Sequence, residues 1–206
     1  MHFSREPRIH TVPILALRPT QITVGMREVE AKRKGWRQHP ERRKAEFLGV
    51  HLIPVIRGPK DQHFVIDHHH LALALHREGV VEVATTIVAD LRSLPREAFW
   101  IYLDNRGWLH PYDEEGRRRS YRSLPKRITE LKDDPYRSLA GELRLRGGFA
   151  KDTTPFSEFL WADFLRRRIK RKLIEREFKT ALARAIELAK SAEADYLPGW
   201  CGPSSR

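Results

Sequence analysis

The chain has 206 residues, 40% of them hydrophobic, which is enough for a buried core and too many for a disordered segment. A formal net charge of +12 points to polyanionic partners: nucleic acid, nucleotides or an anionic surface. The single cysteine, Cys201, excludes an internal disulfide framework, and its place in the tail argues against a buried catalytic thiol.

Near the start, VPILAL is interrupted by Pro13 and is too short for a signal sequence or a membrane span, so no membrane association and a reducing, cytoplasmic setting are expected. A strand is predicted over residues 11–16, then a loop, LRPTQITVG, with Pro19 and Gly25 as breakers. MREVEAKRKGWRQ (26–38) reads as a helix with Met26 and Val29 on one side, and Pro40 opens a shorter helix over 40–50. LIPVIR (52–57) and HFVID (63–67) flank the turn GPKDQ as a hairpin, and their unbroken apolar runs suggest cover on both faces. HHLALALHREG (69–79) is helical, with Leu71, Ala74 and Leu75 on one face and Gly79 at the C-terminal cap. VVEVATTIVAD (80–90) has the strongest strand pattern of the chain.

After Pro95 the character changes: PREAFWIYLDNRG is a helix, residues 108–125 form a polar loop, and helices follow to about Ala194. The expected organisation is an α+β chain with a small mixed α/β core over 1–92, an all-helical extension over 93–194 and an irregular tail over 195–206. TPFSEFLWADFLR (154–166) reads as a helix with a Thr154 cap and Pro155 in its first turn, and with Phe156, Phe159, Leu160 and Phe164 on one apolar face. Basic runs occur at 41–44, 117–119 and 166–172; the last, RRRIKRK, would wrap every side of a helix. Aromatic residues are not interleaved with these runs, so stacking on exposed bases is not indicated.

The motif with most chemistry is HFVIDHHHLALAL (63–75), which sets Asp67, His68, His69 and His70 between a strand and a helix. Asp67 stands where an N-cap is wanted, able to accept from the amides of His69 or His70. The same helix N-terminus, with unpaired N–H groups and the positive dipole end, is an anion-binding surface. Successive helical side chains are about 100° apart, so the three imidazoles cannot all face one site, and a zinc centre built from them is implausible. Asp67 with an imidazole could still help to hold a divalent ion. Further candidates are Arg27, Glu28 and Lys32 after the first loop, Lys151 after the Gly147–Gly148 break, and Glu158 on the helix near 154–166.

In order, VPILALRP, IPVI, FVIDHHHLALAL and VEVATTIVADL resemble the ParB/sulfiredoxin superfamily, and with PYDEEG, LPKRITELKDDPYRSLAGELRLRGGFAK and PFSEFLWADFLR they are most similar to its ParB-like nuclease group. The resemblance implies a ParB/sulfiredoxin-like core over about residues 9–92 and a seam motif that binds phosphates, as those of ATP, ADP or CTP. On that motif Asp67 and His69 match the aspartate and the central histidine, which makes them the candidate catalytic residues, with His68, His70, Arg27, Lys32 and Lys151 as candidate phosphate ligands. Two positions depart from it: His68 replaces a glycine, crowding the backbone approach, and Leu71 replaces an arginine, removing a bidentate clamp. The seam has no counterpart of the sulfiredoxin cysteine. The expected activity is phosphoryl transfer or phosphodiester hydrolysis, nuclease- or kinase-like, with Mg2+ held through Asp67. The alternatives are a DNA-binding module without chemistry that uses the basic helical half, and a toxin-like nucleotidyl or ADP-ribosyl transferase.

Overall fold

The structure is a computed structural model that describes residues 9–203, apart from the side chains of 41–43. The basic run at 41–44 therefore lies mostly outside the described side chains. The expected α+β architecture is present: a five-stranded mixed sheet and eight α-helices among the described residues.

β1 (Ile9–Pro13) runs antiparallel to β6 (Glu82–Asp90). The strand expected over 11–16 does not continue. Pro13 has no N–H for the ladder, the Ile14 N–H donates to the Val81 carbonyl at 2.9 Å, and a 3-10 turn over Ile14–Ala16 turns the chain into β2 (Leu17–Pro19). β4 (Ile53–Gly58) and β5 (Gln62–Val65) form the expected antiparallel hairpin, and β2 adds to β5 in parallel. The chain then passes through α3 (His69–Arg77) and returns as β6, which pairs with β4 in parallel. The strand order is β1-β6-β4-β5-β2.

Phe64 and Val65 are adjacent on β5, so they point to opposite faces, and both are buried. The Phe64 face is covered by α4 (Arg96–Asn105), whose Phe99 and Leu103 join Ile56, Phe64, Leu109 and Leu124 in one cluster. Gly58 belongs to this packing, because a Cβ there would stand 2.5 Å from the Phe64 ring and 2.8 Å from the Phe99 ring.

The chain divides into two compact units, at places other than residue 92. Among the described residues, one comprises 9–22, Val29–Tyr112 and Arg118–Leu131; the other comprises Thr23–Glu28, Asp113–Arg117 and 132–203. Helix α1 (Met26–Gln38), which precedes α2 (Glu41–Val50), contributes its first turn to the second unit and the rest to the first. The physical reason is burial: α4 and the segment after it carry Phe99, Leu103, Leu109 and Leu124 into the core of the sheet unit, so they do not form a separate helical body.

The second unit joins β3 (Thr23–Val24) to β7 (Lys132–Asp133) in a short parallel ladder. Its helices are α5 (Pro135–Leu145), α6 (Ser157–Arg166), α7 (Arg171–Arg176) and α8 (Phe178–Lys190). Their core is built from Leu139, Leu143, Trp161, Phe164, Ala181 and Ala185. Asp134 caps α5 by accepting from the Tyr136 N–H at 2.9 Å, and Gly147, at φ 74°, ends it.

Two helix readings need correction. α6 begins at Ser157 behind a left-handed Phe156, because Asp152 accepts the Thr154 N–H at 2.7 Å and holds 152–154 in a turn. The inward residue is then Trp161, fully buried, whereas Leu160 is 45% exposed. The run RRRIKRK is also not one helix: α6 ends at Arg166, α7 starts at Arg171, and Lys170 between them is extended. Arg167 and Arg168 pair with Asp163 and Glu193, and Arg171 pairs with Glu175, so much of this charge is neutralised locally.

Candidate functional site

The seam lies in the first unit, where β5 ends and α3 begins. The Ile66 N–H still donates to the Pro54 carbonyl at 3.1 Å, and the first helical bond runs from the Ala72 N–H to the His68 carbonyl at 2.9 Å. Asp67 and His68 make the bend between them. His68 itself is the N-cap, at φ 64° and ψ 24°, a left-handed conformation that glycine adopts freely and a side chain adopts at a cost of about 1 kcal/mol. Asp67 therefore does not cap the amides of His69 or His70. Its Oδ1 accepts the N–H of His68 at 2.6 Å, and the carboxylate is 75% exposed.

The three imidazoles have three environments. The His68 side chain is 42% exposed; its Nδ1 lies 3.2 Å from the Leu52 carbonyl, which can only accept, so Nδ1 donates there, and Nε2 lies 3.9 Å from Asp67 Oδ2. The His69 ring points inward and is 2% exposed. Its Nε2 accepts the Thr20 N–H at 3.1 Å, its other nitrogen donates to the Val65 backbone, and the Thr20 hydroxyl donates to the Val65 carbonyl at 2.7 Å. Burial pushes its pKa down to about 3, so this imidazole is neutral with both nitrogens committed. His70 is also buried. The groups of the seam that face solvent are thus Asp67 and His68. Lys32 is half-buried on the part of α1 that belongs to this unit.

Among the described residues, no three His, Cys, Asp or Glu side chains come together as a metal-holding group. A cage made by protein alone is therefore not formed here. The single exposed carboxylate of Asp67 fits a magnesium ion shared with substrate phosphates, a common arrangement for that ion.

The second unit gathers other candidates around a residue that the sequence reading did not single out. Arg137, in the first turn of α5, is buried: its Nη2 is 3.3 Å from Glu28 Oε2, its Cζ lies 5.3 Å from the centre of the Phe159 ring, and its Nε and Nη1 have no hydrogen-bond partner. Glu158, in the first turn of α6, accepts from Arg144 at 3.0 Å and from the Ser157 hydroxyl at 3.3 Å. Burial alone would raise the Glu158 carboxyl, but the charges of Arg137 and Arg144 outweigh it and hold the group below its ordinary range. Glu28 and Glu158 thus belong to one charged cluster, although the sequence places them 130 residues apart. Arg27 is spent differently, with its Cζ 3.5 Å from the centre of the Phe178 ring, and Lys151 is exposed. The signal that could have found Arg137 was the capped start DDPYR, which fixes the residue in a helical first turn.

The family described as "Putative ParB-like nuclease" matches residues 10–167, most of the chain, and the protein belongs to that family. The crystal structure of protein Atu1540 from Agrobacterium tumefaciens is similar to it: TM-score 0.88 and 53% sequence identity over 95% of this chain and 99% of that one. No curated protein matches the chain. No helix among the described residues is long and apolar enough to cross a membrane.

Proposed function

We propose that the protein binds phosphate groups of a nucleotide or a nucleic acid at the Asp67–His70 seam and catalyses their hydrolysis or transfer. The observation that carries this reading is the pairing of an exposed carboxylate, Asp67, with the half-exposed imidazole of His68 at a helix N-terminus, on a residue held in a strained conformation. In this reading Asp67 takes a proton from water, the water oxygen bonds to phosphorus, the bond to the leaving oxygen breaks, and that oxygen gains a proton. His68 orients the phosphate or shares the proton, and His69 is a positioning residue that ties α3 to β2 and β5. A magnesium ion held by Asp67 and the substrate would neutralise phosphate charge. The net charge of +12 favours a second reading, binding of DNA without chemistry.

The test uses the full chain with Mg2+, presenting ATP, ADP, CTP, DNA and RNA, and measures phosphate release and strand cleavage. Turnover that falls by about a hundredfold or more in Asp67→Asn is expected, with folding intact because the side chain is exposed. Undiminished turnover in that variant, or none in the wild type with any substrate, overturns the reading. Steeply salt-dependent DNA binding without turnover would support the second one.

A further inference from the structure

The first unit holds a cleft of about 320 Å3 that contains none of the residues discussed above as site candidates. Its walls carry five cations, Arg18, Lys60, Arg96, Arg122 and Lys126, and no carboxylate. Among the described residues, none of these five side chains is engaged in an ion pair. The nearby Asp61 carboxylate is taken up by Arg57 at 2.9 and 2.6 Å, which leaves the left-handed Lys60 as the charge that this turn contributes.

The floor is aromatic. Trp100 and Tyr121 line the cleft with rings 24° from parallel and centroids 6.1 Å apart. Trp100 is braced by T-shaped contacts with Phe64 and Phe99, ring centroids 5.3 and 5.1 Å away, and the Tyr121 hydroxyl is anchored on Asp104 at 2.9 Å. Rings fixed in this way present a ready surface for another ring.

We propose that this cleft binds a nucleoside phosphate, with the base on the Trp100–Tyr121 wall and the phosphates among the surrounding cations. A bare anion would use the cations but not the aromatic wall, and an apolar ligand would leave five charges unused. A base still stacked in a duplex cannot enter so confined a space, whereas a single strand or a free nucleotide can. The site is independent of the seam: its residues come from β2, the hairpin turn, β5, α4 and the 121–126 segment.

The experiment measures binding of the full chain to a labelled single-stranded eight-mer, a duplex of the same sequence, AMP and inorganic phosphate, each over a range of salt concentrations. The eight-mer is expected to bind tighter than the duplex, and Trp100→Ala to weaken it about tenfold. Because Trp100 also packs against Phe64 and Phe99, Trp100→Phe is run beside it and should retain most of the affinity. Arg122→Ala with Lys126→Ala, both exposed, should lower the slope of log K against log salt by about 1.4. AMP competing with the eight-mer would identify a free nucleotide as the ligand, and eight-mer binding without AMP binding would identify a strand. Equal affinity for duplex and single strand together with an unaffected Trp100→Ala would overturn the proposal, as would inorganic phosphate competing as well as AMP.

Discussion

The backbone N–H of Thr20 donates to Nε2 of His69 at 3.1 Å, across 49 residues of chain. It joins the end of β2 to the start of α3, and the Val65 backbone closes the same network from β5. Removing the ring would leave the Thr20 amide buried and unpaired, so His69→Ala should destabilise the protein by about 3 kcal/mol or more, counting cavity and lost bonds. Urea denaturation would measure it; a loss below about 1 kcal/mol would show that the network is dispensable.

The same ring sets an acid limb on stability. Its pKa lies at about 3 in the folded chain against 6.5 when free, so the unfolded chain binds the proton first as pH falls. Stability from this group is therefore complete above pH 6.5 and lost progressively between pH 6.5 and 3, by about 1.4 kcal/mol per unit. Unfolding midpoints for the wild type should fall through that window, and the fall should be shallower in a folded His69→Gln variant.

His68 occupies a glycine conformation at φ 64°. His68→Gly should relieve that strain and stabilise by up to about 1 kcal/mol, less what the bond to the Leu52 carbonyl contributes. The Tm should rise while any turnover falls. A lower Tm would mean that the imidazole bond outweighs the backbone strain.

Asp134 is 1% exposed, pairs with Arg166 at 2.6 Å and caps α5. Asp134→Ala would remove the cap and leave the Arg166 charge uncompensated, for an expected loss of about 3–5 kcal/mol. The double variant with Arg166→Met should recover much of it, and calorimetry of the two would show whether it does.

Gly58→Ala tests the packing under α4. With its Cβ 2.5 Å from the Phe64 ring, the variant should lose about 1–3 kcal/mol through overpacking, although the backbone there needs no glycine conformation. An unchanged urea midpoint would show that the two rings yield freely.

Local patterns carried much of the fold. The Val/Ile/Thr-rich run at 82–90, the Gly-Pro turn between two apolar arms and the Gly79 stop each specify an element through neighbours in sequence. The helix starting at Ser157 was less legible, because the turn made by Asp152 competes with the Thr-Pro signal beside it. The seam was visible as a motif, but not in its orientation: whether Asp67 or His68 serves as the cap depends on a bend that brings His68 against Leu52.

By itself the sequence determined an α+β chain with a formal net charge of +12 and an Asp-His-His-His seam between strand and helix, because periodicity, turn residues and charge are local or additive properties. Tertiary structure alone decided which imidazole is buried, that Arg137 lies in one cluster with Glu28 and Glu158, and that Trp100 and Tyr121 meet cations drawn from distant segments. Those outcomes depend on which segments approach one another, and that is fixed by the burial of side chains far apart in the chain.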